Sequence, residues 1–586
     1  MAEESSPRRS RRAYLTALAL GTGAFAGCSD ERQRTASPDS DPGPSRTTDD
    51  STGTETSAPV LDGQPCIAHY MTGMVPFRDA EPYWTDPRYY DPNGPTSNVG
   101  GAMLHAAVPA LLNRSDDPEQ PVDQSIDDAV RQELRAASRF GVDTFEFYYP
   151  WTGDTAILDQ YDEIIEAFFR VAAATEIPFE FTIAISHPIA GTADRKVEAL
   201  GEHVSGLLAS VETDRWLQTP DGRFVVGTWL PDALALGADH TRTASDPSLL
   251  GDVAAAYDAL ADRTGADIAW LYDLHYASDA TDLQAYVDAA LDHFPAIHGW
   301  HTGCVDETVW EYVATQCRER DRAFVQDTHG DLATGKFYTT GPGSEAIFSA
   351  DRATSVCPDE VERWTVELGL SENFRTQLGA AARREADGVY LSTWNDYGEG
   401  HHVAPEINHN FAFAQLLQYG LARWRGEPDS GPGEVAMVFF EKYPSDVTPS
   451  PFDLGARTET CLDSSDRIEV VTILDDPATL RVNDGAPQPV EAGLTATSVP
   501  MVPGHVDVTV TRGESVVATL RTPEAITEDP FRSDRLTFAY SSAHDAIYSD
   551  LYGEDAPVYV SNQYARDDLV DGPNYGRPTD LAGDVC

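Results

Sequence analysis

From Pro65 to about Gly426 the chain alternates short apolar runs with polar loops and amphipathic stretches. Eight runs recur: Cys66 to Tyr70 (CIAHY), Val142 to Tyr149 (VDTFEFYY), Phe179 to Ser186 (FEFTIAIS), Phe224 to Leu230 (FVVGTWL), Ile268 to Tyr272 (IAWLY), Ala296 to Trp300 (AIHGW), Lys336 to Thr340 (KFYTT) and Val389 to Thr393 (VYLST). The amphipathic stretches between them include Ser125 to Phe140, Tyr161 to Thr175, Leu249 to Thr264 and Asp359 to Glu385. A run that is apolar throughout, without alternation, marks a strand covered on both faces. Strand and helix in turn mark parallel pairing. Eight such units predict a (β/α)8 TIM barrel over 65–426. A doubly wound sheet is the alternative, disfavoured by the count and by the lack of a Gly-rich nucleotide loop.

The pattern changes on either side of that region. Residues 29–60 are Ser, Thr, Asp and Pro with almost nothing to bury, and predict a disordered tether. After a helix over Asn410 to Trp424, Gly426 to Gly433 (GEPDSGPG) reads as a linker. Beyond it, β-rich runs such as RIEVVTIL, ATLRVN and GHVDVTVTRG, broken by Asp, Gly and Pro turns, predict an antiparallel β-sandwich over 434–586. Its last segment, Thr537 to Cys586, shows little periodicity and receives no element. The default role for this region is accessory packing or glycan binding.

Charge narrows the function. Over 586 residues, 96 Asp and Glu face 41 Lys and Arg, a net charge of -55 spread along the whole chain. A dispersed acidic surface suits a halophilic protein, because salt screens the self-repulsion. It excludes nucleic acid as a partner, since no basic surface remains to meet phosphates.

The N-terminus reads as a targeting segment over 1–28. Ser10-Arg11-Arg12-Ala13-Tyr14-Leu15 looks like a twin-arginine signal, followed by an apolar run to Phe25 and a lipobox-like Ala26-Gly27-Cys28. The expectation is an extracellular protein held to the cell membrane by a lipid on Cys28. Six cysteines follow it; Cys304 and Cys317 are the easiest pair to imagine, though six allow 15 connectivities. No spacing suits a thiolate metal site.

In a TIM barrel the carboxyl ends of the strands carry the site. Those ends bring His69 and Tyr70; Glu146 and Trp151; His187; Trp229 and Asp232; Asp273 and His275; and Trp300 and His301. Aromatics beside carboxylates suit sugar, whose flat faces stack on rings while hydroxyls take directed hydrogen bonds. Any one tryptophan is as well explained by core packing, and any one acid by an ion pair; recurrence at successive strand ends favours binding.

The last run leads into the densest cluster: Trp394, Asn395, Asp396, Tyr397, Gly398, Glu399, His401 and His402. Glycosidic hydrolysis needs an acid for the leaving oxygen and, with inversion, a base for water on the opposite face. Two carboxyls roughly 6.5–9.5 Å apart provide both. Asp396 and Glu399 are three residues apart around Gly398 and can share one cavity. Glu399 is assigned as acid and Asp396 as base, with the reverse left open. Trp394 and Tyr397 can desolvate one carboxyl and raise its pKa. Asn395, Trp394, Tyr397, His401 and His402 are expected to bind substrate. No helical metal spacing, Ser-His-Asp order, Walker loop or cofactor fingerprint stands out, so neither metal nor cofactor is expected.

CIAHYMTGMV near the start and YLSTWNDYGEGHHVAP at the eighth run resemble the opening and closing motifs of glycoside hydrolase family 71, the α-1,3-glucanases or mutanases. GVDTFEFYY and AIHGWHTG sit where that family has corresponding segments. The resemblance implies a (β/α)8 barrel followed by a β-sandwich, an inverting endo-acting α-glucanase, a polysaccharide or oligosaccharide substrate, and Asp396 and Glu399 as the acting carboxyls. At the ends of the second and third runs, Tyr148 and Ser186-His187 depart from the family's Asn and Asp-containing segments, which bears on the sugar accepted. The GEGHHVAPE ending is also similar to a pattern of family 99-like proteins, which implies α-mannan as the alternative substrate. A non-catalytic glycan-binding surface lipoprotein is the reading from another class.

Overall fold

The computed structural model describes residues 60–78, 122–235, 246–330, 336–339, 361–447, 455–528 and 537–553, apart from 152, 154, 187, 189, 212, 276, 278, 279, 301–304, 398, 399, 407, 464 and 465. Eight parallel strands close into a barrel: β1 (Cys66–Tyr70), β2 (Thr144–Pro150), β3 (Glu180–Ser186), β4 (Phe224–Trp229), β5 (Ile268–Asp273), β6 (Ala296–His298), β7 (Ala323–Thr328) and β10 (Gly388–Leu391). β10 closes the ring between β7 and β1. The TIM barrel is therefore present.

Its strands are buried on both faces because alternate residues serve two layers. From β1 and β2, Tyr70, Phe145 and Phe147 point outward, where all three rings pack on Phe168 of α2 (Ala156–Thr175). The intervening His69 and Glu146 point inward. Helices start and stop on local signals: in α1 (Ile126–Arg139) the Ser125 hydroxyl accepts the Asp128 N–H, Asp127 and Asp128 occupy the first turn, and Arg139 occupies the last.

One barrel strand differs from the sequence expectation. The seventh is Ala323–Thr328 (AFVQDT), whereas Lys336–Thr339 forms β8 in a separate three-stranded sheet with β9 (Val361–Leu368) and β12 (Gly455–Leu462). Gln326 and Asp327 make AFVQDT look too polar for a buried strand. Both are satisfied inside: Arg384 Nη1 donates to Gln326 Oε1 at 2.7 Å, and the Ser392 hydroxyl donates to Asp327. The stretch Asp359 to Glu385 likewise divides into β9 and a shorter helix, α7 (Glu372–Arg383). Gly369, at φ 73°, makes the turn between them.

The C-terminal region is a sandwich of two four-stranded sheets. One holds β11 (Val435–Glu441), β13 (Arg467–Leu474), β16 (Gly493–Pro500) and β19 (Thr537–Ser541); the other holds β14 (Ala478–Val482), β15 (Gln488–Val490), β17 (Asp507–Arg512) and β18 (Ser515–Arg521). Val438, Phe440, Ile468 and Val470 meet Leu480, Val508 and Val510 in its core. Alternate residues of the first sheet, Met437, Phe439 and Val471, belong instead to the barrel's core. Phe439 packs on Phe413 of α8 (Ala412–Arg425), with ring centroids 5.3 Å apart. The sheet is thus buried on both faces, and the Gly426–Gly433 stretch is a short crossing between packed elements.

The segment after Thr537 supplies β19 and a helix, α9 (His544–Tyr552), that returns to the barrel. Its Asp550 pairs with Arg139, and Arg135 donates to the Asp550 carbonyl at 3.0 Å. Cys66 and Cys317 are free and buried, and burial pushes the Cys317 thiol up to about 12. Cys317 lies in the core face of α6 (Glu307–Glu319), and Cys304, the partner easiest to imagine for it, lies outside the described residues; Cys461 is disulfide-bonded. Among the described residues no helix is long and apolar enough to cross a membrane. The targeting segment, the tether and Cys28 lie outside the described residues.

Candidate active site

Groups from four strands converge inside the barrel. His69 Nδ1 lies 3.0 Å from Glu146 Oε2 and 3.0 Å from the Tyr390 hydroxyl, which itself donates to Glu146. His298 of β6 packs on Tyr390 with centroids 4.2 Å apart. Contacts between β2, β6 and β10 span strands that are not neighbours, so these side chains cross the lumen. Burial, then the adjacent Glu146 charge, holds the Tyr390 phenol well above its ordinary value. Burial also lowers His298, which favours its neutral form. Glu146 fits only because β4 carries a glycine opposite it: a Cβ on Gly227 would lie 1.6 Å from Glu146 Oε1.

Above this floor Trp300 is the central ring. It contacts His69 at 4.9 Å, Trp229 at 5.3 Å and His401 at 6.1 Å between centroids. Tyr148 extends the wall, 6.3 Å from Trp229 and 6.1 Å from His69. Asp273, at the end of β5, accepts the Trp300 N–H at 3.1 Å and approaches His275 Nδ1 at 3.3 Å. Its backbone N–H donates to Thr228 at 2.9 Å, which fixes the strand end. Asp232, in the turn Pro231–Leu234 after β4, is buried, and desolvation raises its carboxyl to about 7. The facing His275 opposes that rise.

The eighth strand end forms the rim. Asp396 retains 7% exposure, more than its buried neighbours Trp394 and Asn395. Its Oδ2 lies 3.9 Å from His401 Nε2. His401 Nδ1 sits 2.9 Å from the Ser392 carbonyl, so that nitrogen carries the proton and Nε2 faces the carboxylate. Asn395 Oδ1 accepts the Met71 N–H at 2.7 Å, while Nδ2 donates to the Met71 carbonyl at 3.3 Å. That double contact pins the rim to the chain leaving β1. The Thr393 hydroxyl accepts the Asp396 N–H at 2.9 Å, which holds the turn that presents the carboxyl.

The expected site residues therefore separate into groups. His69, Glu146, Trp229, Asp273, His275, Trp300, Asp396 and His401 come together at the carboxyl end of the barrel. Tyr70 lies in the helix layer, and Trp394 also points there, donating through Nε1 to Glu133 Oε2 at 2.6 Å. These two support the wall from behind: alternation along β1 turns Tyr70 outward, and Trp394 follows the end of β10. Trp151 ties two loops by donating to the Ala190 carbonyl at 2.9 Å. Tyr397 and His402 pack on each other, 4.8 Å between centroids, on the side away from Trp300. His187, His301 and Glu399 lie outside the described residues. Tyr390 and His298 escape a reading of strand ends because they sit within apolar runs. Alternation places His298 in phase with Trp300, and that was the available signal. A further grouping hidden from linear spacing is His402, Glu406 and His409, whose ligand atoms all lie within 4.8 Å of one another.

Residues 373–540, from α7 through the eighth strand into the sandwich, match the model of glycosyl hydrolase family 71. No curated protein matches the chain. Among solved structures, the GH99 endo-alpha-mannosidase from Bacteroides thetaiotaomicron is similar at 11% identity and a TM-score of 0.40, over 63% of this chain and 99% of that one. A glycoside hydrolase-like protein gives 11% identity and a TM-score of 0.38, over 63% and 97%. A beta-glucuronidase from Parabacteroides merdae gives 9% and 0.30, over 67% and 58%. These distant likenesses transfer no activity; the family 71 match, over less than a third of the chain, supports a glycosidase.

Proposed function

We propose that this chain, a barrel glycosidase with a family 71 region, is an exported enzyme that cleaves α-1,3-linked glucan internally and with inversion, using Asp396 and Glu399 as its carboxyl pair. The observation that carries the reading is Asp396. It stands at the carboxyl end of the eighth strand, inside the family-matched segment, with its Oδ2 towards His401 and with Trp300 perpendicular to that imidazole at 6.1 Å between centroids. A carboxylate at the barrel rim, beside a cluster of aromatic rings, is where a base must be to draw a proton from water beside a stacked sugar.

In this mechanism Glu399 protonates the departing oxygen and Asp396 activates water on the opposite face of the ring. His401, fixed by its Nδ1 contact to the Ser392 carbonyl, packs beside the Asp396 carboxylate, with Nε2 3.9 Å from Oδ2. Asp273 fixes the backbone of Trp300 and so the height of the stacking platform. The Glu146, His69 and Tyr390 network keeps the floor rigid beneath it. Export and anchoring rest on the Arg11-Arg12 segment and Cys28.

Salt-loving cells producing the chain, fractionated and assayed in molar salt on α-1,3-glucan, α-1,4-glucan and α-mannan, test both parts. Activity on α-1,3-glucan that stays with membranes, and moves to the medium in Cys28→Ser, is the expected result. Cleavage of α-mannan instead would redirect the substrate. Binding without cleavage of any of the three would make the chain a glycan-binding protein, and soluble activity in the wild type would remove the anchor.

A further inference from the structure

We propose that His402, Glu406 and His409 form a divalent metal site of the zinc class, separate from the carboxyl pair, that ties the loop after the eighth barrel strand to the sandwich. His402 Nε2 lies 3.8 Å from Glu406 Oε1, and His409 Nδ1 lies 3.5 Å from the same oxygen. Both separations are too long for direct hydrogen bonds between these atoms. They approach the spacing of neighbouring ligands around a tetrahedral zinc, about 3.3–3.5 Å for bonds of roughly 2.0–2.1 Å. All three side chains are buried. Two imidazoles and one carboxylate form a borderline donor set, suited to zinc and poorly suited to calcium or magnesium, which prefer oxygen alone.

The surroundings hold these ligands in place. Glu406 Oε2 accepts the Asn408 N–H at 2.7 Å, and Oε1 accepts the His409 N–H, so the carboxylate is oriented by its own turn. Tyr397 packs on His402 at 4.8 Å and Phe413 on His409 at 4.8 Å, while the two imidazoles stack 5.4 Å apart. These rings form dry walls that fix the imidazole planes. The same turn is fastened to β19: the Ala539 N–H donates to the Asn408 carbonyl at 2.7 Å, and Asn410 Nδ2 donates to the Ala539 carbonyl at 3.2 Å. A metal here would lock the loop that follows Asp396 against the second domain. Adjacent histidines divide the labour, His401 facing Asp396 and His402 facing the cluster.

The full chain, stripped with a chelator, dialysed against zinc in molar salt and analysed for metal, tests this beside His402→Gln and His409→Gln. Wild type is expected to retain about one zinc per chain, with retention at least about tenfold weaker in either variant. Cobalt in place of zinc is expected to give the visible bands of a low-coordinate ion, and zinc is expected to raise the Tm of stripped wild type alone. Should one variant fail to fold, the other variant and the wild-type cobalt spectrum still decide. No stoichiometric metal in wild type, a Tm indifferent to zinc, or metal retained equally by the variants would overturn the site.

Discussion

Asp396→Asn is expected to lower kcat on α-1,3-glucan by about 10³-fold, the scale of a lost general acid or base, while leaving the fold intact. The substitution keeps the size of the side chain. It also keeps the backbone contact that shapes the turn, because the Asp396 N–H, not its carboxyl, donates to Thr393. What disappears is the charge at the barrel rim that would take a proton from water. Steady-state kinetics with thermal unfolding on the same preparation check both halves. A variant with more than about a tenth of wild-type kcat would remove Asp396 from the chemistry. A normal kcat with a raised KM would make it a binding group.

Gly227→Ala is expected to be the most damaging single methyl group in the barrel, costing about 3 kcal/mol of stability. The added Cβ would meet Glu146 Oε1 at 1.6 Å and its Cδ at 2.6 Å, so the carboxylate must leave its place. It cannot leave cheaply, because His69 and Tyr390 both hold its other oxygen. The clash can be isolated with a second substitution. In a Glu146→Ala background the space is vacated, and the same Gly227→Ala change is expected to cost less than about 1 kcal/mol. Equal costs in both backgrounds, measured by denaturant unfolding in molar salt, would show that the barrel does not rest on this contact.

Much of the architecture follows from patterning that the chain displays openly. Runs such as IAWLY are apolar in both phases, and only a strand covered on two sides requires that. The seventh strand was illegible for the opposite reason. Gln326 and Asp327 are buried polar residues whose partners, Arg384 and Ser392, lie 58 and 65 residues away in sequence. No local pattern announces such a pairing. The site divides along the same line. Asp396 and the strand-end tryptophans are visible because strand ends are where a barrel keeps its chemistry. Tyr390 and His298 are hidden inside runs that also serve as core. His402, Glu406 and His409 are hidden because a turn closed between Glu406 and Asn410, not a helix, brings them together.

The sandwich gains a physical role from the same comparison. β11 is buried throughout, with alternate residues shared between the two cores. Strand β19 grips the loop that follows the eighth strand, and α9 returns to α1. The second domain thus braces the segment that carries Asp396 from behind.

The stereochemistry of the first product tests the inverting carboxyl pair most directly. Proton NMR of α-1,3-gluco-oligosaccharide hydrolysis, recorded before mutarotation, should show the β-anomer of the new reducing end appearing first. The α-anomer appearing first would contradict inversion by two spaced carboxyls, and no new reducing end at all would contradict hydrolysis of this linkage.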